Sequence, residues 1–255
     1  MIGRPHLDLF HQTLDLPPGC NMRLRFIPSS TDFFIKNGDT QRDHPYRVQI
    51  DSARLLVRTK EVSPNFLLAQ ETILNRQNVR MPFTKVDMKT VTIPQGLTSI
   101  EMDNVYTGSL PERVFVGWVG DNRLNGRWNL NPFHFEHFDL THVAMLVNGE
   151  QIPRVAYQPH FDRGDYLREY LALLEGLSLD IGNRSIDLTP ASWANTFPLF
   201  IFRLTPDGLS SIPKSGAARL DLKFRIATPR NVIAILYSEV PTVLEIDKYR
   251  NAILT

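Results

Sequence analysis

His134, His137 and His142 are spaced H-x-x-H-x-x-x-x-H, and imidazoles grouped this way are a common zinc-binding residue set. On a helix His134 and His137 would share a face. Here Asn131-Pro132-Phe133 precedes them and Phe135 and Phe138 are interleaved, so the stretch reads as an irregular loop. It has no H-E-x-x-H, and it lacks the H-x-H pair followed by a glutamate that metal-binding jelly rolls of the cupin type use. These residues read as loop histidines with packed rings and polar tips, and no metal or other cofactor is expected.

Other chemistries find as little support. There is no G-x-S-x-G elbow, and Cys20 stands beside Pro18 and Gly19 with no flanking base, so nucleophilic catalysis has no anchor. Neither G-x-x-x-x-G-K-[ST] nor G-x-G-x-x-G occurs to cradle a phosphate. Asp162 and Asp165 read as turn and helix caps. Arg123, Arg127, Trp128, Phe133 and Phe135 interleave cations with rings, as a single-strand stacking platform would, yet Asp121, Glu136 and Asp139 dilute the charge. The chain carries 28 Lys plus Arg against 27 Asp plus Glu, with none of the basic excess that neutralises phosphates. No specific nucleic-acid partner and no enzymatic activity are expected.

The elements that must position these residues are mostly strands. Eighteen prolines and fourteen glycines punctuate short runs rich in Val, Ile, Leu and Phe, often with period-2 alternation. Strands are predicted at 22–28, 46–60, 85–94, 113–120, 140–149, 198–205, 218–226 and 232–240. In ARLDLKFRI (218–226), Leu220, Leu222, Phe224 and Ile226 share one face and Arg219, Asp221, Lys223 and Arg225 the other. VIAILYSEV is apolar throughout, as in a strand covered on both sides. Eight strands with long, uneven connections predict an all-β, eight-stranded jelly-roll sandwich. Two helices fall in the connections: one begins with Ser63 as N-cap and Pro64 at the first position, and one lies within GDYLREYLALLEGL (164–177) with Tyr166, Tyr170, Leu173 and Leu174 on a stripe. No linker or internal repeat stands out. The expectation is one domain over 1–255, with a lead-in segment at 1–20 and a helix-containing insertion at 150–197 between strands. A single cysteine allows no intrachain disulfide, and no run reaches the ~18 apolar residues of a membrane span.

GRPHLDLFHQ with LPPGCNMRLRFIPS, YRVQIDSARLLVRTKEVSP, LPERVFVGWV with NGRWNLNPFHFEHFDL, GDYLREYLALL, FRLTPD, ARLDLKFRIATP and LYSEVPTVLEIDKYRN follow one another in an order that is familiar. Together they resemble the C-terminal half of the hexon-like major capsid proteins of Polinton (Maverick) elements and adintoviruses. The resemblance implies two jelly rolls in tandem, trimerisation into capsomers and tiling of an icosahedral shell. The expected partners are then copies of the same chain, a second jelly roll from an N-terminal half, and other capsid proteins. The expected location is the virion, after synthesis inside a host cell. This chain has strands for one jelly roll only, so it is expected to be a fragment or a truncated or domesticated copy. The family supplies no catalytic residues. Candidate assembly contacts are Trp128, Phe133, Phe135, Tyr166 and Tyr170, outside the sheets. The alternative is a stand-alone jelly-roll module that binds glycan or protein through the loops at one end.

Overall fold

The computed structural model describes residues 3, 5–11, 14–36, 47–179, 188–204 and 215–254. The elements run β1 (Val79–Ile93), β2 (Ser99–Ser109), β3 (Arg113–Gly120), β4 (Leu140–Val147), β5 (Glu150–Tyr157), β6 (Phe200–Arg203), β7 (Ser215–Phe224), β8 (Val232–Ile246) and β9 (Ala252–Leu254). The helices are α1 (Thr31–Phe34), α2 (Pro64–Leu74), α3 (Asp121–Leu124), α4 (Leu167–Gly176) and α5 (Pro190–Thr196). One sheet has the order β1-β8-β3-β6, with β9 pairing to β8, and the other has the order β2-β7-β4-β5.

That order has a simple origin. The first strand pairs with the eighth, the second with the seventh, the third with the sixth and the fourth with the fifth. A chain folded once at the β4–β5 turn and then rolled so that successive pairs alternate between two sheets gives this pattern, which is a jelly roll. The turn at the fold point is Asn148-Gly149, at φ 52° and 87°. Asn-Gly favours the tight turn in which both central residues take positive φ and whose twist matches that of the flanking strands.

Contacts divide the chain into two compact units, Met1–Pro28 with Asp43–Lys85 and Pro241–Thr255 in one, and Ser29–Arg42 with Val86–Val240 in the other. The expectation of one domain over 1–255 thus meets a chain in two units. In the larger unit the inward faces of both sheets fill the interior. Ala218, Leu220, Leu222 and Phe224 of β7 are buried, and so are Val114, Val116 and Trp118 of β3. Trp118 lies edge-on to Phe200 at 5.3 Å between ring centroids, an arrangement that suits the ring quadrupoles. Of the face predicted from 218–226, Ile226 departs: β7 stops at Phe224, and Ile226 is exposed beyond it. In the smaller unit Met81, Leu244 and Ile246 are buried together, with Leu9, Leu16, Cys20, Val79 and Phe83 packed around them. There Arg250 Nε donates to the Pro18 carbonyl at 2.8 Å, and its Nη2 pairs with Glu71. Ser63 caps α2 as its sequence indicates, its side chain accepting from the Phe66 amide.

Two predicted strands are absent. Residues 22–28 and 47–60 lie in no helix or strand, and Tyr46 falls outside the described residues. Their places among the eight are taken by β2 and β5. The segment 150–197 therefore opens with a strand and is not only a helical insertion. β2 hides its alternation behind a bulge between Met102 and Tyr106, where Asn104 sits at φ 54°. β5 contains Pro153, which a ladder tolerates only at an edge, and among the described residues β4 is its one sheet neighbour.

α4 also differs in detail from its expected form. Asp165 precedes it, with its backbone bridged to His160, and Tyr166 takes the N-cap position without a side-chain cap. Gly176 serves close packing: a Cβ there would collide with Ile201 of β6. Glu169, on the same helix, is buried and accepts from the Gln158 amide at 3.2 Å. Burial pushes its carboxyl pKa up, although hydrogen bonds from backbone amides oppose the shift. A carboxyl whose folded pKa lies above its unfolded value supports the fold below that unfolded value. That support is lost as pH rises through the folded pKa. Glu169→Gln should therefore raise the melting temperature at pH 7 and change it little near pH 4. An equal shift at both pH values would refute the assignment.

Candidate assembly surface

At one end of the larger unit, the connection from β3 to β4 folds back over the sandwich. Gly117 makes this possible, because a Cβ at that position would sit 2.7 Å from the Phe135 ring and closer still to Leu199. The Phe135 amide donates to the Thr196 carbonyl at 3.0 Å, and the Glu136 amide donates to the Trp118 carbonyl at 2.9 Å. The loop is thus tied to β3 beyond the point where pairing with β6 ends at Val116.

Charges lock the loop further. The Glu136 carboxylate receives Arg123 at 3.1 Å and Arg230 at 2.7 Å, and the Arg230 guanidinium lies over the Phe138 ring at 5.7 Å. Arg225 spans Asp139 at 3.2 Å and Asp162 at 3.0 Å. The His137 ring stacks on Phe161, with centroids 4.0 Å apart, and its Nδ1 accepts from the Asp139 amide at 3.0 Å. Burial pushes the His137 pKa down, against the pull of Asp139 and Glu136, which agrees with a neutral ring accepting at Nδ1. An open cleft of about 320 Å³ lies here, lined in part by His134, Glu136, His137, Asp139 and Ile226.

The three histidines do not converge. His142 is on β4 opposite Lys223 of β7, and burial followed by the Lys223 charge pushes its pKa down. Among the described residues, no group of three or more His, Cys, Asp or Glu is placed to hold a metal ion. Arg123, one cation of the would-be stacking platform, is engaged by Glu136.

The candidate contacts separate into two sets. Phe133 is 58% exposed, edge-on to Phe33 of α1 at 5.6 Å, and Trp128 is half-buried. Phe135 is packed against β3 as described. Tyr166 and Tyr170 point into the sandwich: Tyr166 stacks on Phe161 and meets Trp193, and the Tyr170 hydroxyl donates to the Leu188 carbonyl at 2.7 Å. The face of α4 turned to solvent is one residue along, at Leu167 and Leu171, both more than half exposed. Beside it, Val155 of β5 is exposed too, and Arg168 ties helix to strand by donating to the carbonyls of Val155 and Ala156. Apolar residues run nearly all around this helix. Its sequence therefore shows that a stripe is buried without showing which side is left over.

No family profile matches the chain. An uncharacterized Caenorhabditis elegans protein, F54H12.2, is 23% identical over 259 residues, covering 97% of this chain and 61% of its own length. The chain thus spans under two thirds of that relative. Among solved structures, a chain of the Sputnik virophage matches with a TM-score of 0.45 and 11% identity, over 70% of this chain and 39% of that one. PBCV-1 VP54, fitted into a reconstruction of Sputnik, matches with a TM-score of 0.43 and 11% identity over 73% of this chain and 54% of VP54. A chain of the PBCV-1 virus capsid gives 0.40 and 10% over the same shares. All three scores are below 0.5, and the jelly-roll assignment rests on the strand order itself. Among the described residues no helix is long and apolar enough to cross a membrane.

Proposed function

We propose that this chain is a structural, capsid-type jelly roll that works by packing against copies of itself and a second jelly roll, without catalysis. The observation that carries the reading is the complete rolled pairing of eight strands around an interior filled by Trp118, Trp193, Phe200 and Phe202. A sandwich filled this way offers its outer faces, edges and loops for function. The sequence resemblance to Polinton and adintovirus capsid proteins supports the finer reading: threefold capsomers, a tandem second jelly roll and a place in a virion shell.

Self-association is the test. The solvent-facing residues Leu167, Leu171, Val155 and Phe133 replace the tyrosines as the residues to vary, since truncating Tyr170 would disturb the interior as well. Closed symmetry favours threefold or sixfold species over open chains. Light scattering and sedimentation over a wide concentration range should show concentration-dependent association, weakened at least tenfold by Leu167→Ser with Leu171→Ser at unchanged melting temperature. A chain that stays monomeric throughout, and binds a glycan or foreign protein through the loop 125–139, would replace this reading with that of a recognition module.

A further inference from the structure

The turn 137–140 shares with the Asn148-Gly149 turn two successive residues at positive φ, but not the residue types that suit them. The Leu140 amide donates to the His137 carbonyl at 2.9 Å, and between them Phe138 and Asp139 stand at φ 46° and 52°. Asparagine and glycine enter this left-handed region readily. In phenylalanine the Cβ crowds the following carbonyl, so the conformation persists only where the surroundings impose it. Those surroundings are specific. The Asp139 amide donates to His137 Nδ1 at 3.0 Å, and the Arg225 amide donates to the Asp139 carbonyl at 2.8 Å. The Arg225 guanidinium holds the Asp139 and Asp162 carboxylates, Arg230 lies over the Phe138 ring, and Phe161, from the turn between β5 and α4, stacks on the imidazole. Of these holds, the histidine is the one that a mild change of pH removes. An amide N–H can only donate, so the ring nitrogen facing it carries no proton; once protonated, it would set two donors against each other.

We infer that His137 is a proton-released latch: its neutral ring holds the strained turn closed, and protonation in mild acid opens the turn and loosens the loop 131–139 from the end of the sandwich. The charges around the ring pull in both directions. The Asp139 carboxylate, 3.8 Å from Nδ1, and Glu136 attract a charged imidazole, and Arg225 repels it. Both carboxylates are themselves engaged, Glu136 by Arg123 and Arg230 and Asp139 by Arg225, which also holds Asp162. His134 lines the same cleft. Burial outweighs the two carboxylates, and the ring in the closed turn has a pKa below its ordinary 6.5. A released ring therefore binds a proton more readily than a closed one. Its support for the closed turn is complete above the ordinary value and is lost as pH falls through that value toward the lower pKa of the closed form. The bearing on assembly rests on the reading of this loop as a contact surface; the latch itself does not.

Hydrogen exchange on the full chain at two pH values tests the latch. Relative to their intrinsic exchange rates, the amides of Phe135, Glu136 and Asp139 should lose protection severalfold between about pH 7.5 and about pH 5, while those of β3 and β7 keep theirs. His137→Asn places a non-titrating oxygen where Nδ1 stands, and should keep the three amides protected at both pH values. His142→Gln removes a second histidine whose pKa burial lowers, and should leave the acid response of the loop unchanged. Equal protection at both pH values in the unaltered chain, the same acid loss in His137→Asn, or disappearance of that loss in His142→Gln would each overturn the inference. Sedimentation at the same two pH values reads assembly separately: a latch that opens with no change in self-association leaves the inference standing and counts against this loop as a contact surface.

Discussion

Leu222→Asp is expected to abolish soluble, folded protein. β7 lies between β2 and β4, and Leu222 pairs with Ile100 on one side and Val143 on the other while its side chain is 1% exposed on the inner face. An aspartate there would be set in a core of buried apolar residues that includes Val143 and Leu220. Its ionised form is too costly to bury, and its neutral form still lacks hydrogen-bond partners. Breaking a core in this way costs several kcal/mol against a whole-domain stability of about 5–15 kcal/mol. Phe224→Ala keeps the interior apolar but empties it, at about 3–5 kcal/mol. Lys223, between them and exposed, supplies the control: Lys223→Ala should stay within about 0.5 kcal/mol. Soluble yield and urea unfolding read all three, and equal losses at Lys223 and Phe224 would show that the inner and outer faces are wrongly assigned.

β7 was the most legible strand because its period-2 pattern is unbroken and one of its faces meets water. The same logic explains what was not legible. β2 has a bulge that shifts register between Met102 and Tyr106, so its apolar residues fall out of phase. β5 is interrupted by Pro153 and begins with Glu150 and Gln151, which suit an edge and hide a strand. In the opposite direction, 22–28 and 47–60 have good strand patterns without a strand partner among the described residues; pattern reports the capacity to pair, and pairing needs a neighbour. The connection 121–139 was legible as a turn region between two strands, because Pro132 and the Asn and Gly residues announce irregular backbone. The anchoring of that loop was not. Glu136 meets Arg230 across 94 positions of sequence, and no local pattern signals such a contact. On α4, periodicity put Tyr166, Tyr170, Leu173 and Leu174 on one stripe, of which the first three pack into the core and Leu174 is half-buried, while the exposed Leu167 and Leu171 appear only once the neighbours of the helix are known.

Trp193→Ala should be the most damaging change outside the sheets, although its segment carried no predicted helix. Pro190 at the start of α5 and a reciprocal cap between Thr189 and Ser192 fix a seven-residue helix that would be marginal alone. That helix delivers Trp193 into the interior with no exposed surface. Its ring meets Tyr166, Tyr170, Phe161 and Phe200, with centroids 5.7 to 6.5 Å away, and its Nε1 donates to the Leu199 carbonyl at 3.3 Å. Removing it leaves an indole-sized void between α4, α5 and β6, which a rigid sandwich closes only in part, at a cost of about 3–5 kcal/mol. Trp193→Phe keeps most of the volume and gives up one hydrogen bond, so its cost should fall clearly below that of alanine. Chemical unfolding orders the two variants, and near-ultraviolet dichroism should show the ring cluster loosened in Trp193→Ala. A loss below about 0.5 kcal/mol for Trp193→Ala would be the ordinary effect of a surface substitution, and would mean that the ring cluster is not what joins the helices to the sandwich.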